Sequence, residues 1–365
     1  LLGHSSENLP PPNIGVVGKE SIDSSLTMAL SHLHQLGRIQ LAGNRDQEKS
    51  SHLDLDNSLP NHSIPKFSNL GDLLANNKSA AGKKLDAILI LGNSKWRYEC
   101  IRKALALKFH VLTKPPLAEN SSEGATLIET ASSTGMHLGV LHQERYRAIY
   151  AEPLGAIRTG DLGEILSVRF DRPYNKDKIN SSDKTNLPIT LYDDLYLARA
   201  CAFSPVTSVQ ARTEEHKNRG NHVTSQLVQL HHADGGSSII QHMDSISSHN
   251  EKVEVHGTKG SLRICPTENF WSNWKFDTTQ SEATEKRMEP NSETLRGGET
   301  LGILSMDFNA RSLARALDDA FASFQRGIPS PVDSREAWHN LKALDAAKES
   351  IRTGEIVRAD IPFPR

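Results

Sequence analysis

A chain of 365 residues carrying 42 Lys+Arg against 44 Asp+Glu has room for two cored domains, and its net charge of −2 gives no polycationic surface for nucleic acid or anionic lipid. The three cysteines, Cys100, Cys201 and Cys265, are odd in number and far apart, which argues against a disulfide framework or a metal site and fits a reducing, cytoplasmic setting. No apolar run approaches the roughly 20 residues of a membrane span, and residues 1–12, ending Pro10-Pro11-Pro12, read as a polar tail.

Asn13-Ile14-Gly15-Val16-Val17-Gly18 is a short apolar strand ending in glycine. The polar run Lys19-Glu20-Ser21-Ile22-Asp23 then opens a helix, the strand–turn–helix of a dinucleotide-binding fold. Of the G-x-G-x-x-G fingerprint only the first glycine, Gly18, is present; the second falls on Glu20 and the third on Asp23. A carboxylate about 5 Å from a phosphate costs roughly 3 kcal/mol at an effective dielectric of about 20, above the ~1–2 kcal/mol a helix end supplies. Lys19 offsets part of that cost. Gly18, Lys19, Ser21 and Ile22 are the candidate diphosphate contacts of a turn whose position suits a nucleotide and whose charge opposes one.

Leu26, Ala29, Leu30 and Leu33 recur at helical spacing up to Gly37. Ile39–Gly43 is a second strand, followed by Asn44-Arg45, which favours a ribose bearing a 2′-phosphate or is a solvated loop. Residues 46–66 hold no clear element. A short helix at Leu70–Ala75, a buried strand at Asp86–Gly92, a helix at Trp96–Lys108 and a strand from His110 stopped by Pro115-Pro116 follow. Asn120 with Glu123 caps a helix ending at Gly135, and Met136–His142 is one more strand. This alternation predicts a doubly wound parallel sheet over 13–145.

The pattern then changes, predicting an α+β domain over 146–365. A helix at Arg147–Thr159 precedes alternating Glu164–Phe170, and a helix near Asp193–Phe203 precedes strands at Thr207–Arg212, His222–His232, Ser238–Met243, Lys252–His256 and Ser261–Ile264. These form an open, mostly antiparallel sheet. Residues 266–305 read as irregular, with Trp271 and Trp274 rimming a pocket or packing a loop. Two helices close the chain, one striped by Leu313, Leu317, Phe321 and Phe324, the other capped by Asp333. His231 and His232 are adjacent on a strand, so they face opposite ways and do not share a metal.

Glu254-Val-His-Gly-Thr-Lys-Gly-Ser-Leu-Arg-Ile264, Gly160-Asp-Leu-Gly-Glu-Ile165 and Arg145-Tyr146 after His142-Gln143 resemble the glucose–fructose oxidoreductase / inositol dehydrogenase (Gfo/Idh/MocA) family over roughly 13–358. The resemblance implies a Rossmann domain joined to a C-terminal sheet that mediates homo-oligomers, and NAD(P)-dependent oxidation of a sugar-like or cyclic hydroxyl. The chemical motifs depart from the family. Its Glu-Lys-Pro becomes Thr113-Lys114-Pro115-Pro116, leaving Lys114 as the implied lysine for substrate and nicotinamide. Its Asp-x-x-x-His-x-x-Asp puts Ile189 at the first Asp, Asp193 at the His and Tyr196 at the last Asp, so Tyr192 or Asp193 becomes the substitute proton relay. After Asp86–Gly92, Gly92-Asn93 stands where relatives contact the coenzyme. Arg97 either holds a phosphate or is a surface residue.

His142, at a strand's carboxyl end, with Arg145 and Tyr146, completes the implied substrate set. Two further readings stay open: a non-catalytic regulatory or accessory member that binds no nicotinamide, and a non-redox lyase or cyclase on the same scaffold.

Overall fold

The computed structural model describes residues 10–18, 23–42, 67–75, 85–173, 189–218, 221–243, 251–268, 270–275, 282–287, 308–328 and 333–360. Lys19, Glu20, Ser21, Ile22, Asn44, Arg45 and the 46–66 stretch lie outside the described residues. The elements run β1 (Asn13–Gly18), α1 (Ser24–Gln35), β2 (Gln40–Leu41), α2 (Leu70–Ala75), β3 (Ala87–Leu91), α3 (Ser94–Ala106), β4 (His110–Thr113), α4 (Ser121–Thr134) and β5 (Leu138–Val140). There follow α5 (Ala148–Arg158), β6 (Ile165–Pro173), α6 (Ile189–Ala202), β7 (Val206–Asn218), β8 (Asn221–His232), β9 (Ser237–Met243), β10 (Lys252–Gly257) and β11 (Gly260–Cys265). The last are β12 (Phe270–Lys275), β13 (Glu282–Arg287), α7 (Phe308–Arg326), α8 (Ser334–Thr353) and β14 (Val357–Arg358). Two compact units result, one of residues 1–119, 126–143 and 294–335, the other of 120–125, 144–293 and 336–365.

The first unit holds a parallel sheet in the order β2-β1-β3-β4-β5. Residues of β1 and β3 are all buried, which is why they read as unbroken apolar runs rather than alternating ones. Strand order reverses between β1 and β3, so the ligand crevice of such a sheet lies at the carboxyl ends of β1, β3 and β4. α7 packs within this unit. Its apolar stripe requires a partner surface, and α1 provides one; just past α1, Arg38 donates to both carboxylate oxygens of Asp318 at 2.9 and 2.8 Å. Phe324 stacks on His110 and His137, with centroids 5.5 and 5.6 Å away.

The second unit holds a nine-stranded sheet in the order β13-β12-β11-β10-β6-β9-β8-β7-β14, antiparallel except where β6 runs parallel to β9. Gly257, at the end of β10, explains why the most family-like stretches are architectural. A Cβ there would stand 2.2 Å from the Leu162 carbonyl oxygen, so only glycine lets the β10–β11 hairpin seat against the 160–165 loop. Lys259 and Thr258 then donate backbone N–H to the carbonyls of Leu162 and Glu164 at 2.8 and 2.9 Å.

Two sequence expectations are corrected here. Within 266–305, β12 and β13 are strands, with Trp271 opposite Ile264 and Trp274 opposite Ser261. Their polar, charge-rich flanks hid a pairing that the neighbouring β11 imposes. α6 begins at Ile189, four residues before the expected start at Asp193, so Asp193 and Asp194 lie beyond the first turn and outside the reach of the helix dipole.

Candidate functional site

In the first unit the site is built at the carboxyl edge of the sheet. Gly18 ends β1 with its N–H donating to the Phe67 carbonyl at 3.0 Å, and a Cβ there would crowd Leu91 at 3.2 Å. Asp23 caps α1: its Oδ1 accepts the Leu26 N–H at 2.7 Å, and its Oδ2 forms an ion pair with Lys114 Nζ. A helix N-terminus attracts anions, and here the chain supplies its own carboxylate at the place of the fingerprint's third glycine.

Lys114 follows β4 on a turn held from two sides. Buried Thr113 donates its hydroxyl to the Ile90 carbonyl at 2.9 Å, tying β4 to β3. Arg97 on α3, 3% exposed, donates to the carbonyls of Lys114 and Pro116 at 2.6 and 2.5 Å. Neither expectation for Arg97 holds as stated, since it is not a surface residue and its guanidinium clamps the lysine-bearing turn. Gly92 has φ of +133°, and Asn93 caps α3 by accepting the Trp96 N–H at 3.0 Å. His142 lies just past β5, buried.

In the second unit Asp193 is half-buried on α6. Burial pushes its carboxyl up to about 8, with Glu144 and Asp194 adding to the rise and Arg172 opposing it. A carboxyl that changes charge near neutral pH can give or take a proton there. Tyr192 is buried and its hydroxyl donates to the Ala337 carbonyl at 3.0 Å, so of the two candidate relays Asp193 has the suitable chemistry. Arg145 bonds the Tyr196 phenol, and Tyr146 is buried beside it in the Gln143–Tyr146 turn.

Next to Asp193 stands a charge network that the sequence did not reveal. Asp194, fully buried, pairs with Arg172 at 2.5 Å and with His242 at 2.7 Å. Arg172 also reaches Glu251 at 2.7 Å and the Tyr150 hydroxyl at 3.1 Å, and burial pushes that phenol well above its ordinary range. Among the described residues no group of three His, Cys, Asp or Glu side chains could hold a metal ion.

These two sites sit on domains that known proteins share. The chain matches the model of the oxidoreductase family's NAD-binding Rossmann fold over residues 12–142 and that of its C-terminal alpha/beta domain over 155–359. The chain belongs to the Gfo/Idh/MocA oxidoreductase family. Comparison with curated protein sequences returns no match. Among solved structures, an oxidoreductase from Agrobacterium radiobacter in complex with NAD+, L-tartaric acid and magnesium superposes with a TM-score of 0.70 at 14% identity, covering 95% of this chain and 98% of that one. Levoglucosan dehydrogenase in complex with NADH and L-sorbose gives 0.70 at 12%, covering 97% and 100%. An oxidoreductase from Pseudomonas syringae gives 0.69 at 14%, covering 96% and 99%. At such identities the likeness is one of fold.

Proposed function

We propose that this protein is a nicotinamide-dependent oxidoreductase acting on a small sugar-like or cyclic hydroxyl or ketone compound. The observation that carries this reading is the reach of Lys114 to the first strand–helix turn of the Rossmann unit. A lysine that handles substrate beside nicotinamide has to stand at that edge. The pair with Asp23 leaves the two side chains 33% and 48% exposed, and such pairs are worth about 0–1 kcal/mol. The residues therefore fit the coenzyme: Gly18, Gly92 and Asn93 would hold it, with Lys114 beside the nicotinamide once the lysine releases Asp23. NADP is favoured over NAD by Asn44-Arg45.

When bound, the coenzyme supplies the hydride acceptor or donor. On the first unit Lys114 is the residue implied to polarise a reacting oxygen, and on the second Asp193 is the carboxyl able to take or return a proton near neutral pH. His142, Arg145 and Tyr146 are the implied substrate contacts. The test is a panel of cyclic polyols and sugars with NAD+ and NADP+, followed by coenzyme absorbance. Lys114→Ala should abolish turnover with coenzyme affinity changed less than threefold; unchanged turnover removes Lys114 from the mechanism.

One observation favours the rival, non-catalytic reading: both the helix end and the lysine are satisfied internally by Asp23. Under that reading neither coenzyme binds until Glu20 or Asp23 is replaced.

A further inference from the structure

At the amino edge of the first unit's sheet, opposite the edge where the site is built, two histidines meet the end of α7. His110 opens β4, and His137 immediately precedes β5. Their ring centroids are 5.0 Å apart, and the Phe324 ring stacks on both, at interplanar angles of 24° and 12°. Phe324 is buried in the last turn of α7, with the Phe321 ring edge-on to it at 6.2 Å. In that turn Gln325 Nε2 donates to the Pro10 carbonyl at 2.6 Å, and Gly327 ends the helix with φ of +63°. Earlier in α7, Asp318 pairs with Arg38. The helix is fastened in its middle by charge and at its end by rings.

The rings accept only one protonation state. The His137 main-chain N–H donates to Nδ1 of His110 at 3.0 Å. An accepting ring nitrogen carries no proton, so His110 here is the neutral imidazole with its hydrogen on Nε2. Protonation puts a second hydrogen on Nδ1, facing the one already donated to it, and the bond is lost. Phe324 alone would tolerate an imidazolium against its face, so the misfit lies in where the new proton must go. The charges around His110 divide. Next to β3 stands the Asp86 carboxylate, which favours the imidazolium and is itself engaged by the Asn13 N–H at 2.7 Å. Beside β5, His137 opposes the imidazolium, and α7 presents the uncharged Phe324 ring. Burial is the largest influence, and His110 is held below the ordinary 6.5. Between its lowered value and 6.5 the released state takes up a proton that the docked state refuses. Docking is therefore complete above 6.5 and weakens as pH falls.

We propose that the His110–His137–Phe324 stack is a pH-sensitive latch, holding the last turn of α7 on the Rossmann unit at neutral pH and releasing it in mild acid. The latch is independent of the coenzyme and of Lys114. The experiment is amide hydrogen exchange of the full chain without coenzyme, read by mass spectrometry at about pH 7.5 and about pH 5.5 and corrected for the intrinsic rate at each. Protection over 320–328 should fall about three- to tenfold at the lower pH, while that of α3 holds. One proton taken up about one pH unit below 6.5 allows no more than about tenfold. His110→Asn keeps an acceptor, Oδ1, for the His137 N–H but takes no charge, so its protection should change less than about twofold between the two conditions. In the unmodified chain, exchange of the His110 imidazole C2–H should titrate with a midpoint below 6.5, a reading that needs no variant. Equal protection at both pH values overturns the proposal, as does an imidazole midpoint at or above 6.5. So does a fall that persists in His110→Asn, which would pass the effect to His32 or His34 on α1, or a fall of equal size in α3, which would be unfolding of the whole unit.

Discussion

The two units each contain an acid–base ion pair beside the residue the chemistry needs, and the pairs differ in what surrounds them. Asp194 and Arg172 have side chains 0% and 11% exposed and share further partners in His242, Glu251 and Tyr150. Asp23 and Lys114 stand in solvent, and neither is locked by a second charge among the described residues. Water decides the difference. A buried pair cannot be opened without stranding a charge, whereas an exposed one exchanges partners at little cost. The first is a structural brace for α6 and hence for Asp193. The second is a contact that a phosphate or a substrate oxygen can replace.

This comparison can be broken most forcefully at the brace. Asp194→Ala should cost about 3–5 kcal/mol in urea unfolding, because Arg172 is left charged and uncompensated. Next comes Arg97→Met, which removes the donors from the Lys114 and Pro116 carbonyls and should cost about 2–3 kcal/mol. Its effect should extend to the lysine, seen as slower turnover than in a stability-matched variant elsewhere, with coenzyme affinity changed less than threefold.

Asp193 sharpens the comparison by pH. Its folded carboxyl is raised to about 8 from an ordinary value near 3.8. Between those values the unfolded chain is ionised and the folded chain holds the proton, so the residue costs stability as pH climbs toward 8 and nothing below 3.8. Asp193→Asn should therefore gain stability at pH 8 and show no gain near pH 3.5, read by urea midpoints at both values. A gain of equal size at both pH values would exclude the raised carboxyl. The smallest stability effect belongs to the exposed pair: Asp23→Asn keeps the α1 cap and should change stability by under about 1 kcal/mol.

What was legible in the sequence follows the same division between local and distant causes. The β3 and β4 strands and the α4 cap at Asn120 are set by neighbours within a few residues, and each stands where the local sequence placed it. The start of α6, the strands around Trp271 and the attachment of α7 to α1 depend on surfaces far along the chain. The site divides likewise. Lys114 was marked through the family resemblance of Thr113-Lys114-Pro115-Pro116, but its partner Asp23 is 91 residues away and its clamp Arg97 is 17. Asp194, Arg172, His242 and Glu251 carry no spacing signal, since α6 and the sheet bring together residues 22, 48 and 79 apart. Arg145 was marked for substrate from its motif, and it lies in a cavity with Phe203, a residue whose left-handed backbone no side-chain pattern announces.

On the reading proposed above, the Rossmann unit accepts nicotinamide coenzyme despite the acids at its first turn. Titration of the purified protein with NADH and NADPH, followed by nicotinamide fluorescence, tests it directly. Micromolar affinity is expected for at least one coenzyme, tightened about three- to tenfold in Asp23→Asn as a carboxylate leaves the phosphate's path. Failure of the wild-type protein to bind either one, with binding recovered in Asp23→Asn or Glu20→Gly, would contradict it and make the chain a repurposed scaffold.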